Sequence, residues 1–368
     1  MPVLGRMPLD AALAEVVEKE AFYEAENPYL EVEPYRDEGA EKNRDLEKEE
    51  YSYEGAHGFI PVMVSYMHED DKIHPAMIVV PGGGYRQVSR TEAHLVAMDF
   101  YEADYNVFVL VYTVNPLDEV PLGMQPLQDI SRAIRMIRGK AEEYRITPEK
   151  IAVCGFSAGG HLCASLSVHW KDIKDPDPVY DRVSNRPDAA ILAYPVITAG
   201  KAAHPGSFVA LFGENPDQKD LDYMSLEKHV TADTPPCFLW QTATDESVPV
   251  ENSYLFAKAC KEAGVPYAHH VFSDGVHGMS VATEDWLEER GREPYTMEQI
   301  RLLSEAILRG ETRFEKKTGE ELLAKYGISR PAPEKWSRDE KEHLRKVLKE
   351  VGAWRMLAKC WLAAVWDV

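Results

Sequence analysis

The hydrophobic pattern changes character near residue 56. Upstream, residues 1–55 are dense in Glu and carry one weakly amphipathic helical stretch near residues 10–20, followed by the polar, Pro-interrupted ENPYLEVEPYRDEGAEKNRDLEKEEY. This reads as an arm lying solvated on a domain surface; the rival reading is a lid or a partner-binding segment. Downstream, short β-branched and aromatic runs alternate with segments whose apolar residues recur at three and four, the pattern of a parallel sheet wrapped by helices. Strands are predicted at 59–66, 76–80, 106–112, 150–154, 189–194, 237–242 and 268–272, with helices at 91–103, 126–144, 158–169 and 250–263. In the second helix Ile130, Ala133, Ile134, Ile137, Ala141 and Tyr144 share one face, and the segment ends near Thr147-Pro148. Gly264 closes the last. The fold class is α/β, a mostly parallel central sheet with helices on both faces, over residues 56–285.

Residues 286–368 read as a helical extension: MEQIRLLSEAILRG, GEELLAKYG, SRDEKEHLRKVLKEVG with Ser337 as N-cap, then AWRMLAKCWLAAVWDV. Trp354, Trp361 and Trp366 stand in the last of these. So apolar a helix must bury itself against its own domain, against the N-terminal arm, or in another copy of the chain. In the last case these helices are the contact of a homo-oligomer.

Composition narrows the setting. With 45% hydrophobic and 28% charged residues the chain is globular, and no apolar run approaches the roughly 18 residues a membrane span requires. The start, MPVLGRMPLDAALAEVVEKE, turns acidic before a signal-peptide core forms, so a cytoplasmic protein is expected. A net charge of −21 sets up a field that repels nucleic acid and anionic membranes, leaving small molecules as partners. Cys154, Cys163, Cys237, Cys260 and Cys360 are scattered, without a CxxC pair, as expected of reduced thiols packed as small hydrophobes.

The chemistry concentrates in IAVCGFSAGGH, where a buried strand runs into Gly155-Phe156-Ser157-Ala158-Gly159 and then into a helix, the setting of a nucleophile elbow. A turn that tight excludes large side chains two positions before and after the serine, and it lifts Ser157 to a helix N-terminus that favours developing negative charge. Upstream, AMIVVPGGGY ends a strand in three glycines. Acyl transfer needs N–H donors aimed at an oxygen that becomes negative only in the tetrahedral intermediate, and the amides of Gly83, Gly84 and Ala158 are the candidates for that oxyanion hole. Neither GxGxxG nor GxxxxGK[ST] occurs, which argues against a nucleotide loop. For the base, AHHVFSDGVHGMS offers His277 in a glycine-flanked loop after the last strand; His269 and His270 lie within that strand, and His161 packs on the elbow helix. For the orienting acid, FLWQTATDESVPV places Asp245 just past a strand, with Glu246 as nearest competitor. The chain order Ser157, Asp245, His277 is one of the known orders of a serine triad. Tyr85 and Trp240 are candidates for lining the substrate site. There is no HExxH, no clustered His/Asp set and no zinc-type cysteine spacing, so neither metal nor cofactor is expected.

The stretches VVPGGGYRQVSRTEAHLVAMDF, NVFVLVYTVN, PLQDISRAIRMIR, ITPEKIAVCGFSAGGHLCASL, AAILAYPVIT, LFGENP, HVTADTPPCFLWQTATDESVPVENSYLFAKACKEAGVP and FSDGVHGMS resemble the acetyl-xylan-esterase-like (BD-FAE-like) α/β-hydrolases of bacteria. The resemblance spans roughly residues 75–280. It implies an α/β-hydrolase fold, Ser157, Asp245 and His277 as triad, Gly83, Gly84 and Ala158 as oxyanion donors, and acetylated carbohydrate as substrate. Pro81 stands where related HGGG esterases have histidine, and the two terminal regions lie outside the resemblance. The activity implied is a serine carboxylesterase acting on short acyl esters of oligosaccharides. A peptidase or amidase of the same fold and a catalytically silent scaffold are the alternatives.

Overall fold

The computed structural model describes residues 54–330 and 335–366, together with the backbone of Glu31–Pro34. Eight strands form one sheet: β1 (Glu31–Pro34), β2 (Val62–Tyr66), β3 (His74–Val80), β4 (Asn106–Val111), β5 (Ile146–Phe156), β6 (Ala189–Ala193), β7 (Cys237–Thr242) and β8 (Tyr267–Phe272). Their spatial order is β1-β2-β4-β3-β5-β6-β7-β8. β1 and β2 pair antiparallel, β2 joins β4 antiparallel, and the six strands from β4 to β8 run parallel. β1 lies in the stretch read as a polar arm, while the helix expected near 10–20 falls outside the described residues. From β3 the chain steps to β4 on one side and then to β5 on the other. The winding therefore reverses between β3 and β5, and the carboxyl ends of those two strands flank the crevice where open α/β sheets bind ligands.

Alternation along each parallel strand feeds two cores. Ala76, Ile78 and Val80 of β3, Val153 of β5 and Leu239 of β7 face one side; Met77, Val79, Ala152, Cys154, Phe238 and Trp240 face the other. The connecting helices are α1 (His94–Tyr101), α2 (Gln125–Gly139), α3 (Ala158–His169), α4 (Pro205–Phe212) and α5 (Glu251–Ala263), followed by α6 (Glu298–Arg309), α7 (Lys316–Lys325), α8 (Arg338–Val351) and α9 (Trp354–Trp366). Ile130 and Ile134 of α2, Leu162 of α3 and Phe256 of α5 cover the first face. Val96 and Phe100 of α1 share the second with Leu344 of α8 and Trp354, Ala358 and Leu362 of α9. The apolar side of the last helix is thus buried against its own chain. Trp354 stacks on Trp240 with ring centroids 5.1 Å apart. Ser337 opens α8 through a capping box with Glu340.

Two expectations need correction. α2 stops at Gly139, five residues short of the predicted end, and Thr147-Pro148 lies inside β5. The ladder to β3 shifts register there, from His74↔Ile146 to Ala76↔Ile151, so the proline sits in an irregular stretch where no ladder donor is needed. A His/Asp cluster also exists: ligand atoms of His68, His74 and Asp104 lie within 4.8 Å of one another. Its nitrogens are engaged locally, His74 at 2.8 Å from both the Asp104 carbonyl and Asp70, and His68 at 3.1 Å from the Tyr101 carbonyl. Among the described residues no helix is long and apolar enough to cross a membrane.

Candidate active site

β5 delivers Ser157 at its carboxyl end, directly before α3. The serine has φ 53° and ψ −118°, a conformation rarely adopted by L-residues. The flanking glycines are required by contact. A Cβ on Gly155 would lie 2.3 Å from the Gly159 carbonyl oxygen, and one on Gly159 would lie 2.1 Å from that of Val80. The strain is therefore held by backbone packed on backbone from three directions.

The three residues read as a triad come together. His277 Nε2 lies 2.8 Å from Ser157 Oγ, and Nδ1 lies 2.7 Å from Asp245 Oδ2. Asp245 leaves the end of β7 and is buried, whereas Glu246 is exposed. Its Oδ1 accepts the amides of Ser247 and Val248, each at 2.9 Å, which leaves Oδ2 to accept from the imidazole. With the proton on Nδ1 directed at the carboxylate, Nε2 is the free acceptor for the serine hydroxyl.

The glycine loop lies against the elbow. A Cβ on Gly82 would meet Ser157 Cβ at 2.8 Å. Gly83 and Gly84 have φ of 119° and 64°, which suits residues without a side chain. The Gly82 amide is spent on Glu92 Oε2 at 2.7 Å. Neither Gly83 nor Gly84 donates its amide to a described residue, and Ala158 opens α3, where the first N–H groups have no intrahelical acceptor. Three main-chain donors are thus available beside the serine.

The BD-FAE family model matches residues 64–260, over half of the chain. The chain belongs to the BD-FAE family. Endo-1,4-beta-xylanase B of Butyrivibrio fibrisolvens is 49% identical over 253 residues, covering 69% of this chain and 40% of that protein. The acetylxylan esterase of Xylanibacter ruminicola is 30% identical over 215 residues, 56% of this chain and 42% of that protein. The chain thus spans less than half the length of these two curated relatives. An acetyl ester-xyloside bifunctional hydrolase from Caldicellulosiruptor lactoaceticus superposes with a TM-score of 0.61 at 38% identity, covering 73% of this chain and 97% of that one. The fold is that of the α/β-hydrolases.

Around its elbow this BD-FAE chain carries groups that its motifs do not announce. Glu92 is buried, accepting from Gly82 through Oε2 and from the Tyr194 hydroxyl through Oε1 at 2.9 Å. Burial pushes its carboxyl above the usual range, while the Gly82 amide, the His277 charge and the Tyr194 hydroxyl pull it back. The ring of Tyr194 in turn packs edge-on to His277, centroids 4.9 Å apart. His204, ahead of α4, approaches Gly84, where a Cβ would lie 3.8 Å from its Cε1. Burial first, then the charges of His277 and Arg86, hold His204 below the ordinary imidazole range and favour its neutral form. In sequence Glu92 looks like an ordinary acid near a helix start, and only the contact with Gly82 across the sheet edge reveals it.

Tyr85 and Trp240 are not on the cleft. Both are fully buried, Trp240 on the sheet face covered by α9 and Tyr85 beneath the loop. The Tyr85 hydroxyl lies 2.8 Å from His161 Nδ1, and the other nitrogen of His161 donates to the Met224 carbonyl at 3.1 Å. Alternation explains Trp240, since a strand residue points through the sheet as often as toward the crevice; Tyr85 lies past the end of β3, in the turn after the glycines, where its φ of 60° accompanies a side chain packed inward.

Proposed function

We propose that this chain is a serine esterase that removes short acyl groups, acetyl foremost, from acetylated oligosaccharides such as xylo-oligosaccharides. The observation that carries the reading is the unbroken relay from Ser157 through His277 to Asp245. The acetyl and xylan parts draw support from the names of the B. fibrisolvens, X. ruminicola and C. lactoaceticus proteins.

In this reading Ser157 attacks the ester carbonyl while His277 takes its proton. Asp245 fixes the imidazole tautomer and stabilises the imidazolium that forms. The amides of Gly83, Gly84 and Ala158 hold the oxyanion, positioned before the charge appears. The imidazolium then protonates the departing alcohol, and a water deprotonated by His277 cleaves the acyl-enzyme to return the serine and release the acid.

A fluorophosphonate probe should label Ser157 in the folded chain, and absence of labelling would favour a silent scaffold. Ser157→Ala should lower turnover by roughly 10⁴ to 10⁶ with little loss of folding. Acetate release from acetylated xylo-oligosaccharides, set against a series of p-nitrophenyl esters, tests the acyl length. Activity that climbs beyond butyrate would overturn the acetyl assignment.

A further inference from the structure

A cavity of about 400 Å³ opens beside the glycine loop. One wall is the segment between that loop and Glu92, including Gln87 and Ser89. Those two residues brace the loop itself: the Gln87 amide donates to the Gly83 carbonyl at 3.3 Å and the Ser89 amide to that of Gly82 at 2.9 Å. The opposite wall comes from Glu289, Arg292 and Met297 ahead of α6, Lys325 and Tyr326 at the end of α7, and Lys335 just ahead of α8.

The charge of the lining is opposite to that of the molecule. Arg90, Arg292, Lys325 and Lys335 stand against a single acid, Glu289, in a chain whose net charge is −21. The two arginines serve partly as structure. Arg90 donates to the Arg292 carbonyl at 2.7 Å, and Arg292 pairs with Glu289 while its Nε is buried with no hydrogen-bond partner among the described residues. Lys325 and Lys335 make no ion pair among the described residues. Their ammonium groups stand 5.0 Å from the Tyr326 ring centroid and 4.6 Å from that of Trp336. The acids whose charge reaches Lys335 are Glu289 and the already hydrogen-bonded Glu92. Cations gathered at a cleft of an acidic protein focus a local positive potential there, the complement of an anionic ligand.

We propose that this cavity binds an oxyanion, carboxylate or phosphate, carried by the sugar portion of the ester, so that the preferred substrate is an acidic acylated sugar. The part this plays in turnover rests on the esterase reading above, whereas the binding does not.

The test is therefore calorimetric, with the full chain and three non-acetylated probes: a neutral xylo-oligosaccharide, the same oligosaccharide carrying a uronic acid, and a sugar phosphate. At least one acidic probe should bind roughly tenfold tighter than the neutral one, and the gap should narrow as salt is raised. Lys325→Ala with Lys335→Ala should abolish the gap, and Lys325→Arg with Lys335→Arg should restore it, thermal unfolding confirming that both pairs fold. The tighter of the two acidic probes assigns carboxylate or phosphate. Affinity no better for either acidic probe, including no binding by any of the three, overturns the proposal, as does a preference that survives loss of both lysines. Hydrolysis of p-nitrophenyl acetate is measured alongside. A chain that binds the acidic probe without cleaving that ester retains the cavity and loses the esterase reading, and the converse result removes the cavity alone.

Discussion

A buried carboxyl needs donors to hold it, and Glu92, whose charge reaches His277, has two, the Gly82 amide and the Tyr194 hydroxyl. It thereby joins the glycine loop to the loop after β6, whose tyrosine packs on His277. Glu92→Ala removes both bonds and leaves the Gly82 amide to turn elsewhere, so kcat/KM should fall by roughly 10² if the loop's donors move by even a fraction of an ångström. Glu92→Gln keeps an acceptor for Gly82 but removes the charge. The expected loss is smaller, because an oxygen remains to accept the Gly82 amide and hold the loop. A loss in Glu92→Gln as large as that in Glu92→Ala would show that the carboxyl does not act as a strut for the loop. Glu92 also marks where sequence reasoning stopped. Ser157, Asp245 and His277 each follow a strand end in a recognisable local setting, and their order along the chain is informative. A residue whose partners are an amide ten positions away and a hydroxyl on another loop leaves no such local trace.

At the level of elements, strands were legible because parallel strands buried on both faces read as continuous apolar runs; β4 is buried throughout. β1 was not, since a short edge strand with Glu and Pro carries no such run. Helix α2 overran because Ala141 and Tyr144 continue its apolar spacing, although Tyr144 packs on Phe108 from a turn instead. That helix also holds a polar group at its heart. Asp129 is buried, accepts the Thr113 amide at 2.9 Å and the Gln125 side chain at 2.7 Å, and burial pushes its pKa up to about 6. An aspartate in the unfolded chain titrates near about 3.9. Between these values the folded state holds the proton more tightly, so the contribution of Asp129 to stability is greatest at low pH and declines as pH rises to about 6. Asp129→Asn lacks this titration. The unfolding free energy of the native chain minus that of the variant should therefore fall by on the order of 2 kcal/mol between about pH 4 and pH 7, measured by urea denaturation. A difference that rises over that interval would mean that the hydrogen bonds outweigh burial.

On the scale of the whole molecule, the helices after β8 complete the sheet's second face and also hold the loop that carries His277. Trp286 Nε1 donates to the Gly278 carbonyl and Trp354 Nε1 to that of Ser280, each at 2.7 Å, while Ser280 Oγ donates to the Thr91 carbonyl. His277 is thus followed directly by residues pinned from the C-terminal region and from the segment beside Glu92. Two effects can be separated here. Trp354 is fully buried against Trp240 and Phe156, so Trp354→Ala should cost roughly 3–5 kcal/mol by leaving a cavity between α9 and the sheet's second face. Trp286→Phe keeps an aromatic ring in the core while removing the donor to Gly278 and part of the indole's volume. If that bond positions His277, kcat per folded molecule should drop by roughly tenfold, beyond any loss of stability from the smaller ring, and fluorophosphonate labelling of Ser157 should slow by a similar factor. Should stability fall while the labelling rate per folded molecule stays at its original value, the tryptophan is a packing residue and the His277 loop holds its geometry without it.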